Sequence, residues 1–430
     1  MSELVLTSRI YIYLYISIIA ILGSQRFLLE SLYAYVCLLP LISSFFYYQK
    51  DRSASLVFLI ISLFLNVDNG AGAYIETPTF LRYLIYLWSI FFIIQWGLIS
   101  RSKFIIYLFL ILPPLFVTIF GVNSIDIATL IRDIFVAVIV GYAIIQSGDV
   151  QKKSYIQWEF LAYFLTIYLL LEVLNVLFFY SIENGHYLSY DTLKGLIVFS
   201  FFYLIHHKEY LASGFVAAII IFILMKYGSR MPLVMFFLVT SLYVVKARVK
   251  GFNIKRYFLL IFFLFVVFFI ITNLSNNSKF GFMINQVQNV DHLIEWLMLI
   301  DPVRYFENLL FFERNIFSIL FGNGFGSGLY DSKSYLGFVT LEETAFSAKE
   351  LNSSMYYNFH DFWVDLGLRF GLLNILLFVF FITNRALKNS NNCYVELILL
   401  FLTFTVFYST AGILLIAIFL MLSVNKASKQ

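Results

Sequence analysis

Charged residues are scarce in this chain. Only 13% of its 430 residues are Asp, Glu, Lys or Arg, whereas 61% are hydrophobic. Soluble domains usually carry about a quarter of charged residues. The composition therefore excludes an ordinary soluble domain and favours a membrane protein.

Cysteine is almost absent as well. Cys37 and Cys393 are the only two, and both lie in or beside apolar segments. Because both cysteines lie at apolar segments and have no metal-ligand spacing, the sequence predicts neither a disulfide framework nor a metal site. A solenoid-type repeat is missing too, and no long Pro- or Ser-rich linker marks a second domain.

Long apolar segments are what the chain has in abundance. A helix needs about 20 apolar residues to cross a bilayer, and segments of that kind recur from end to end. We therefore predict an all-α fold, a polytopic transmembrane helix bundle with about 12–14 spans. The first segment is interpreted as a transmembrane helix and not as a cleaved signal peptide, because further spans follow at once. The predicted spans lie at 9–23, 29–48, 55–67, 80–98, 104–120, 126–146, 156–180, 193–205, 210–227, 231–245, 257–273, 360–383 and 395–423, the last being two short helices or one long tilted helix.

Lysine and arginine are concentrated in alternate loops, such as those at Lys50 and at Lys246–Arg256, whereas the loops between them hold almost no positive charge. Cytoplasmic loops are the basic ones in membrane proteins, so this pattern predicts the topology. The long polar stretch before the last helices then lies outside the cytoplasm. The predicted parts are a transmembrane bundle at 1–272, one large, partly helical periplasmic loop at 273–359 and C-terminal transmembrane helices at 360–430.

Charged side chains near the outer ends of the predicted spans are functional candidates, because charges are expensive inside a membrane. Lys226 and Arg230 are four residues apart and share one face if the turn between them is helical. Arg132 either contacts substrate or pairs with Asp133. Snorkelling to the interface is the alternative role for the others. The candidates are Arg82, Arg132, Lys194, Lys226 and Arg230.

The long polar stretch adds three features. Arg304 lies on the amphipathic segment 303–317, where it either contacts substrate or pairs with Glu307. The glycine run Phe321–Gly328 predicts a tight turn with exposed backbone N–H groups, and it matches neither a Walker A motif nor a Rossmann fingerprint. His360 stands at the mouth of the next apolar helix, where a neutral imidazole can accept a hydroxyl proton. A hydrogen-bonded residue at the membrane interface is the alternative role for this histidine.

Three sequence motifs follow one another in a characteristic order. They are Gly228-Ser229-Arg230 at the start of a span, Arg304 ahead of the glycine run Phe321–Gly328, and Asn358-Phe359-His360-Asp361 leading into the segment Leu366–Leu373, which reads LGLRFGLL. In this ordered set the chain resembles the superfamily of O-antigen polymerases and O-antigen ligases, which build bacterial surface polysaccharides. It departs from the family pattern at Met231-Pro232, where small residues are usual, and at Asp361, where Asn is usual.

The resemblance implies a glycosyltransferase in the bacterial inner membrane, a multi-pass enzyme that uses neither a metal nor another cofactor. Its donor would be a glycan on undecaprenyl pyrophosphate, and the expected partners are membrane lipid and a chain-length regulator protein, with no nucleic acid. By this analogy Arg230 and Arg304 bind the pyrophosphate, since arginine makes bidentate contacts to phosphate oxygens. Lys226 and Arg132 would assist them. His360 would deprotonate the acceptor hydroxyl as general base.

Three activities stay open at this point. A polymerase of lipopolysaccharide biosynthesis would transfer the glycan to a second lipid-linked repeat unit, and this is the activity we favour. A ligase would transfer it to lipid A-core. A flippase or transporter belongs to a different class and would show midplane charges and an internal repeat. The sequence offers Glu172 with Asn175 as midplane polar residues, and no repeat.

Overall fold

The computed structural model describes most of the chain and is 85% helical, in agreement with the predicted all-α class. The residues outside the description are 1, 26–28, 67–76, 96–100, 121–124, 147–156, 179–193, 227–229, 250–301, 340–345, 347, 358, 360–361, 389–392, 406–409 and 423–430. His360 and most of the stretch before Arg304 therefore lie outside the described residues.

The described part of the chain contains eighteen α-helices, two short 3-10 helices (Glu30–Tyr35 and Lys194–Ile197) and one pair of short strands. The helices are α1 (Ser2–Ser24), α2 (Leu38–Tyr48), α3 (Arg52–Leu65), α4 (Thr79–Gln95), α5 (Arg101–Phe120), α6 (Ile127–Gln146), α7 (Trp158–Phe178), α8 (Val198–His206), α9 (Tyr210–Lys226), α10 (Arg230–Val249), α11 (Pro302–Phe312), α12 (Ile316–Phe321), α13 (Tyr335–Val339), α14 (Ala348–Ser353), α15 (Phe362–Phe370), α16 (Leu372–Lys388), α17 (Cys393–Thr405) and α18 (Thr410–Leu422). The strands are β1 (Leu329–Tyr330) and β2 (Met355–Tyr356), which pair antiparallel.

Within the described ranges, three helical segments are long and apolar enough to cross a membrane, or four if the bent pair α15–α16 forms one span. They are Ser31–Tyr48, Ile127–Ile145 and Trp158–Asn175. Shorter apolar helices of 10–17 residues accompany them. These lengths indicate a membrane protein. The count of 12–14 spans, the periplasmic loop at 273–359 and the boundaries at 272 and 359 stay predictions.

The chain forms two compact units. The first comprises 1–96, 151–281 and 390–419. Inside it α7 packs against α1, α8 and α9, and α2 packs against α3 through serines. Ser44 and Ser55 hydroxyls lie 3.1 Å apart, and the Ser62 hydroxyl donates to the Cys37 carbonyl at 2.9 Å. Small polar residues of this kind allow close helix packing in membranes while their hydroxyls stay satisfied.

The second unit comprises 97–150, 282–389 and 420–430. It contains α5, α6 and α11–α16, together with the two strands. Its apolar core combines the described short helices of the polar stretch with α15. The buried core residues are Leu310, Phe311, Ile319, Leu329, Leu336, Phe346, Tyr356, Phe359, Val364 and Leu368.

A sharp bend separates α15 from α16. The sequence predicts one continuous span at 360–383, whereas the structure has two helices at 114° on either side of Gly371. Gly371 has a φ of +82°, a left-handed backbone conformation that costs little only for glycine. The bend brings the end of α15 beside the glycine run, and this contact is the centre of the candidate site.

Candidate functional site

The glycine run directly follows α12, which the Asn315 side chain caps by accepting a hydrogen bond from the Ser318 N–H at 2.8 Å. Three of its glycines, Gly322, Gly324 and Gly326, have φ values of +82°, +91° and +71°. Side chains other than glycine rarely adopt these angles. The sequence-based prediction of a tight glycine turn agrees with this geometry.

The turn packs against the α15–α16 bend with backbone against backbone. A Cβ placed on Gly322 would collide with the Arg369 carbonyl, and one on Gly371 would collide with the Leu320 carbonyl. The Asn323 N–H donates to the Leu368 carbonyl across the same contact. Two glycines far apart in sequence therefore meet because neither carries a side chain.

Four charged side chains form a network beside this contact. Arg369 places its Nε 2.8 Å from Oδ2 of Asp133 and its Nη1 2.7 Å from Oδ1 of Asp365. Nη2 of Arg132 lies 3.2 Å from Asp133 and 3.3 Å from Asp365. The side chains of Arg369, Asp133 and Asp365 are at most 4% exposed, whereas that of Arg132 is 23% exposed. Two carboxylates balance two guanidinium groups, which offsets much of the cost of burying each charge.

The network ties the glycine turn to α5 and α6. The Gly326 N–H donates to Oδ2 of Asp133 at 2.8 Å, and the Phe325 N–H donates to the Thr118 hydroxyl at 2.6 Å. The Asp126 N–H in turn donates to the Gly326 carbonyl at 3.0 Å. Backbone groups that a glycine-rich turn leaves uncovered are thus satisfied by two side chains and by the Asp126 backbone, as buried polar groups require.

The same network holds the chain just before His360. Arg369 donates from Nη2 to the Tyr357 carbonyl, and Asp365 accepts from the Phe359 N–H at 3.2 Å. Asp365 and Arg369 are one helical turn apart on α15, so a single face of that helix anchors the backbone of both Tyr357 and Phe359. The position of His360 itself lies outside the described residues.

Of the predicted cations, the structure describes the side chains of Arg82, Arg132 and Arg304. The ion pair of Arg132 with Asp133 matches the structural alternative considered for it. Arg304 lies half-buried on α11, and its carbonyl accepts from the Asn308 side chain at 2.8 Å. Arg82 lies in the first unit, where it donates to the Thr79 hydroxyl at 3.2 Å.

Lys226 ends α9 and Arg230 begins α10, both in the first unit. Their side chains lie outside the described residues, as does that of Lys194. The convergence of Arg230 and Arg304 in one cavity accordingly stays a prediction.

Sequence reasoning did not select Asp365, Arg369 or Arg314. A signal for the first two existed, because opposite charges four residues apart on an apolar helix are expensive in a membrane unless they have partners. No local pattern indicated their long-range partner Asp133. The amphipathic pattern of the segment 303–317 does not single out Arg314, whereas the structure ends α11 at Phe312 and begins α12 at Ile316, with Arg314 between them.

Arg314, which lies between α11 and α12, is a further cation of this unit. Its guanidinium carbon lies 4.2 Å from the centre of the Phe311 ring, and its Nε donates to the Phe311 carbonyl at 3.1 Å. Its Nη1 donates to Oδ1 of Asn323 at 3.2 Å. Burial lowers the pKa of Arg314 to about 10, because the charged form is partly removed from water.

An open groove of about 830 Å³ lies next to Asn323. One wall is the C-terminal half of α5 and the other is α12 with the start of the glycine turn. Its apolar residues are Leu112, Pro113, Leu115, Phe116, Val117, Ile119, Phe120, Phe317 and Phe321, and its polar residues are Asn315, Ser318 and Asn323, with Gly322. The groove is a long apolar trough with a polar edge.

Among the described residues, no group of three His, Cys, Asp or Glu side chains could hold a metal ion. What the second unit offers instead is a tight glycine turn, a charge network with balanced charges and an apolar groove beside a cation.

Comparisons with protein-family models, with curated proteins and with solved structures return no match for this chain. Its function is therefore argued from the site.

Proposed function

We propose that the protein is a glycosyltransferase of the bacterial inner membrane that polymerises lipid-linked repeat units of a surface polysaccharide. The donor is a glycan on undecaprenyl pyrophosphate and the acceptor is a sugar hydroxyl of a second lipid-linked unit. His360 acts as general base, and Arg230 and Arg304 bind the pyrophosphate, assisted by Lys226 and Arg132. Transfer to lipid A-core, the ligase reaction, is the alternative with the same donor.

One observation carries this proposal. Asp365 and Arg369 bind the backbone of Phe359 and Tyr357, which lie one and three positions before His360 in the chain. A general base must keep hydrogen-bond distance to the proton it removes, so its backbone needs this kind of fixation. An interfacial residue of the aromatic belt has no such requirement.

The proposed chemistry is a single displacement at the anomeric carbon. The acceptor oxygen forms the new glycosidic bond while the bond from the anomeric carbon to the pyrophosphate oxygen breaks. His360 takes the acceptor proton, and undecaprenyl pyrophosphate leaves with the electron pair. Arg230 and Arg304 stabilise the negative charge that develops on the leaving group. Arginine suits this role because its planar fork matches two phosphate oxygens at once.

The test is in vitro transfer from a purified lipid-linked donor by His360→Ala, His360→Asn and His360→Gln at matched protein amounts. Loss of a positioned base costs about 10²–10⁴ in rate, whereas donor binding should persist because the arginines supply its contacts. His207→Ala is the matched control, since His207 is an exposed histidine of the first unit. Near-wild-type rates for all three His360 variants would remove the histidine from the mechanism.

The lipopolysaccharide gel pattern of a deletion strain separates polymerase from ligase. Core carrying a single repeat identifies a polymerase. Bare core with accumulated lipid-linked polymer identifies a ligase. We expect the first pattern.

A transporter is the second candidate, and two observations favour it. The bent pair α15–α16 resembles the discontinuous helices that line transporter sites. Glu172 and Asn175 are also buried, with the Asn175 Nδ2 donating to Oε2 of Glu172 at 3.0 Å and to the Ser24 carbonyl. In the deletion strain a flippase would leave bare core without any lipid-linked intermediate at the outer face.

A further inference from the structure

The half-buried guanidinium of Arg314 carries a charge that no described carboxylate balances. No described Asp or Glu forms an ion pair with it. The adjacent Glu313 is engaged elsewhere, with its Oε1 2.7 Å from Nζ of Lys333 and 3.4 Å from the Tyr335 hydroxyl. Nη2 of Arg314 is shielded from water and has no hydrogen-bond acceptor among the described residues. A partly buried guanidinium that has an N–H donor without an acceptor favours the binding of an anion.

The apolar groove reaches this cation through one residue. Asn323 lines the groove, and its side-chain oxygen accepts the Nη1 hydrogen bond of Arg314. That oxygen is neutral, and a charged phosphate oxygen in its place would make a stronger, charge-assisted hydrogen bond. The groove therefore adjoins a cation whose present acceptor is a weak one.

The walls of the groove match a hydrocarbon chain. Its apolar side chains include Phe116, Ile119 and Phe317, which are 62%, 64% and 71% exposed. They belong to two helices that face one another across the trough, whereas the polar Asn315, Ser318 and Asn323 lie together on one wall. An amphiphile with one apolar chain and one anionic end complements this arrangement of an apolar trough and a cation at its polar edge.

We propose that this groove binds the polyprenyl chain of a lipid-linked phosphate, with the phosphate held by Arg314 in place of the Asn323 amide oxygen. The inference rests on the proposed function, because the donor and the leaving group are both such lipids. It adds a residue and a chain-binding surface to those that the family resemblance implies.

The experiment measures binding of farnesyl monophosphate to the purified full-length protein in nanodiscs, with dioleoyl phosphatidylglycerol and inorganic phosphate as competing probes. Arg314→Met removes the charge and keeps an apolar stem on the Phe311 ring. Loss of a charged hydrogen bond should weaken binding about 10- to 100-fold. Lys333→Met is the matched control, because it also removes a cation of the second unit and should leave binding unchanged.

A second variant tests the chain separately. Ser318→Trp fills the groove from its polar wall without replacing the guanidinium, and it should also weaken binding of farnesyl monophosphate about tenfold or more. Its outcome decides the proposal if Arg314→Met does not yield folded protein. Unchanged binding in both variants would overturn the proposal. So would equal competition by phosphatidylglycerol, which would indicate a general lipid surface, or by inorganic phosphate, which would show that the chain is not recognised.

The inference and the proposed function fail in different ways. If the wild-type protein binds farnesyl monophosphate through Arg314 but transfers no glycan from a lipid-linked donor, the inference stands and the glycosyltransferase proposal falls. If glycan transfer occurs and Arg314→Met leaves both the affinity for farnesyl monophosphate and the rate unchanged, the glycosyltransferase proposal stands and the inference falls.

Discussion

Gly371→Ala is the sharpest test of the contact between the glycine turn and the α15–α16 bend. The new Cβ would collide with the Leu320 carbonyl and with backbone atoms of Phe321. The φ of +82° adds strain of about 1–2 kcal/mol for a residue with a side chain. Separating the two backbones also breaks the hydrogen bond from the Asn323 N–H to the Leu368 carbonyl, which is worth about 1 kcal/mol.

These terms together destabilise the second unit by about 2–3 kcal/mol. For a unit of roughly 150–250 residues this loss lowers the melting temperature by about 4–12 °C. The assay is thermal unfolding of the purified protein in detergent, followed by intrinsic fluorescence. Donor-dependent glycan transfer is measured on the same samples, and it should fall because the bend carries Arg369.

Gly337→Ala is the matched control for this substitution. A Cβ at Gly337 meets only the Ser334 side chain, at 3.9 Å, and Gly337 lies inside the helix α13. Alanine is favoured over glycine in helices by about 1 kcal/mol, so this variant should melt at or above the wild-type temperature. If the two variants melted alike, the close backbone packing at Gly371 would be refuted.

Three further predictions follow from contacts of the second unit and from the charge pattern. Asp365→Asn should lower the free energy of unfolding, measured with chemical denaturant, by about 3–5 kcal/mol because it leaves buried cations unbalanced. Glu313→Gln, at the exposed pair with Lys333, is the control and should leave that free energy unchanged. The pKa of Asp126 is lowered below its ordinary value of 3.8, first by the hydrogen bond from the Thr129 N–H and then by that from the Thr129 hydroxyl and the charge of Lys349. The stabilisation from the ionised carboxylate is therefore present above that pH and is lost as the pH falls through the folded-state pKa. The difference in melting temperature between wild type and Asp126→Asn should therefore shrink on acidification, and a constant difference would contradict this. In a cysteine-free background, Tyr330→Cys should react with an impermeant maleimide from outside while Gly251→Cys should not, and the opposite labelling would overturn the topology.

The contacts of Arg132 illustrate how far local sequence reasoning reached in the site. The sequence offered two roles for it, a substrate contact or a pair with Asp133, and the structure has the pair. The second carboxylate, Asp365, lies 233 residues further along the chain. Pairing over such a distance leaves no periodic or motif signal, because it depends on where the helices pack.

The bend at Gly371 shows the same limit in the fold. The apolar run 360–383 has the length of one span, and hydropathy carries no information on a break within it. A glycine inside a helical pattern is usually tolerated and only lowers confidence in the helix. At Gly371 the left-handed φ coincides with close packing against the backbone of Leu320 and Phe321, a contact between segments that are distant in sequence.

The sequence by itself determined the helical class, the apolar segments of membrane-spanning length and the tight glycine turn, because hydrophobic periodicity and the steric freedom of glycine act over a few residues. The tertiary structure alone decided that Asp133, Asp365 and Arg369 share one buried network, that Gly322 meets Gly371, and that Arg314 lies without a described carboxylate partner beside an apolar groove. These arrangements follow from long-range packing and from the cost of burying charge, and both depend on which distant segments come together.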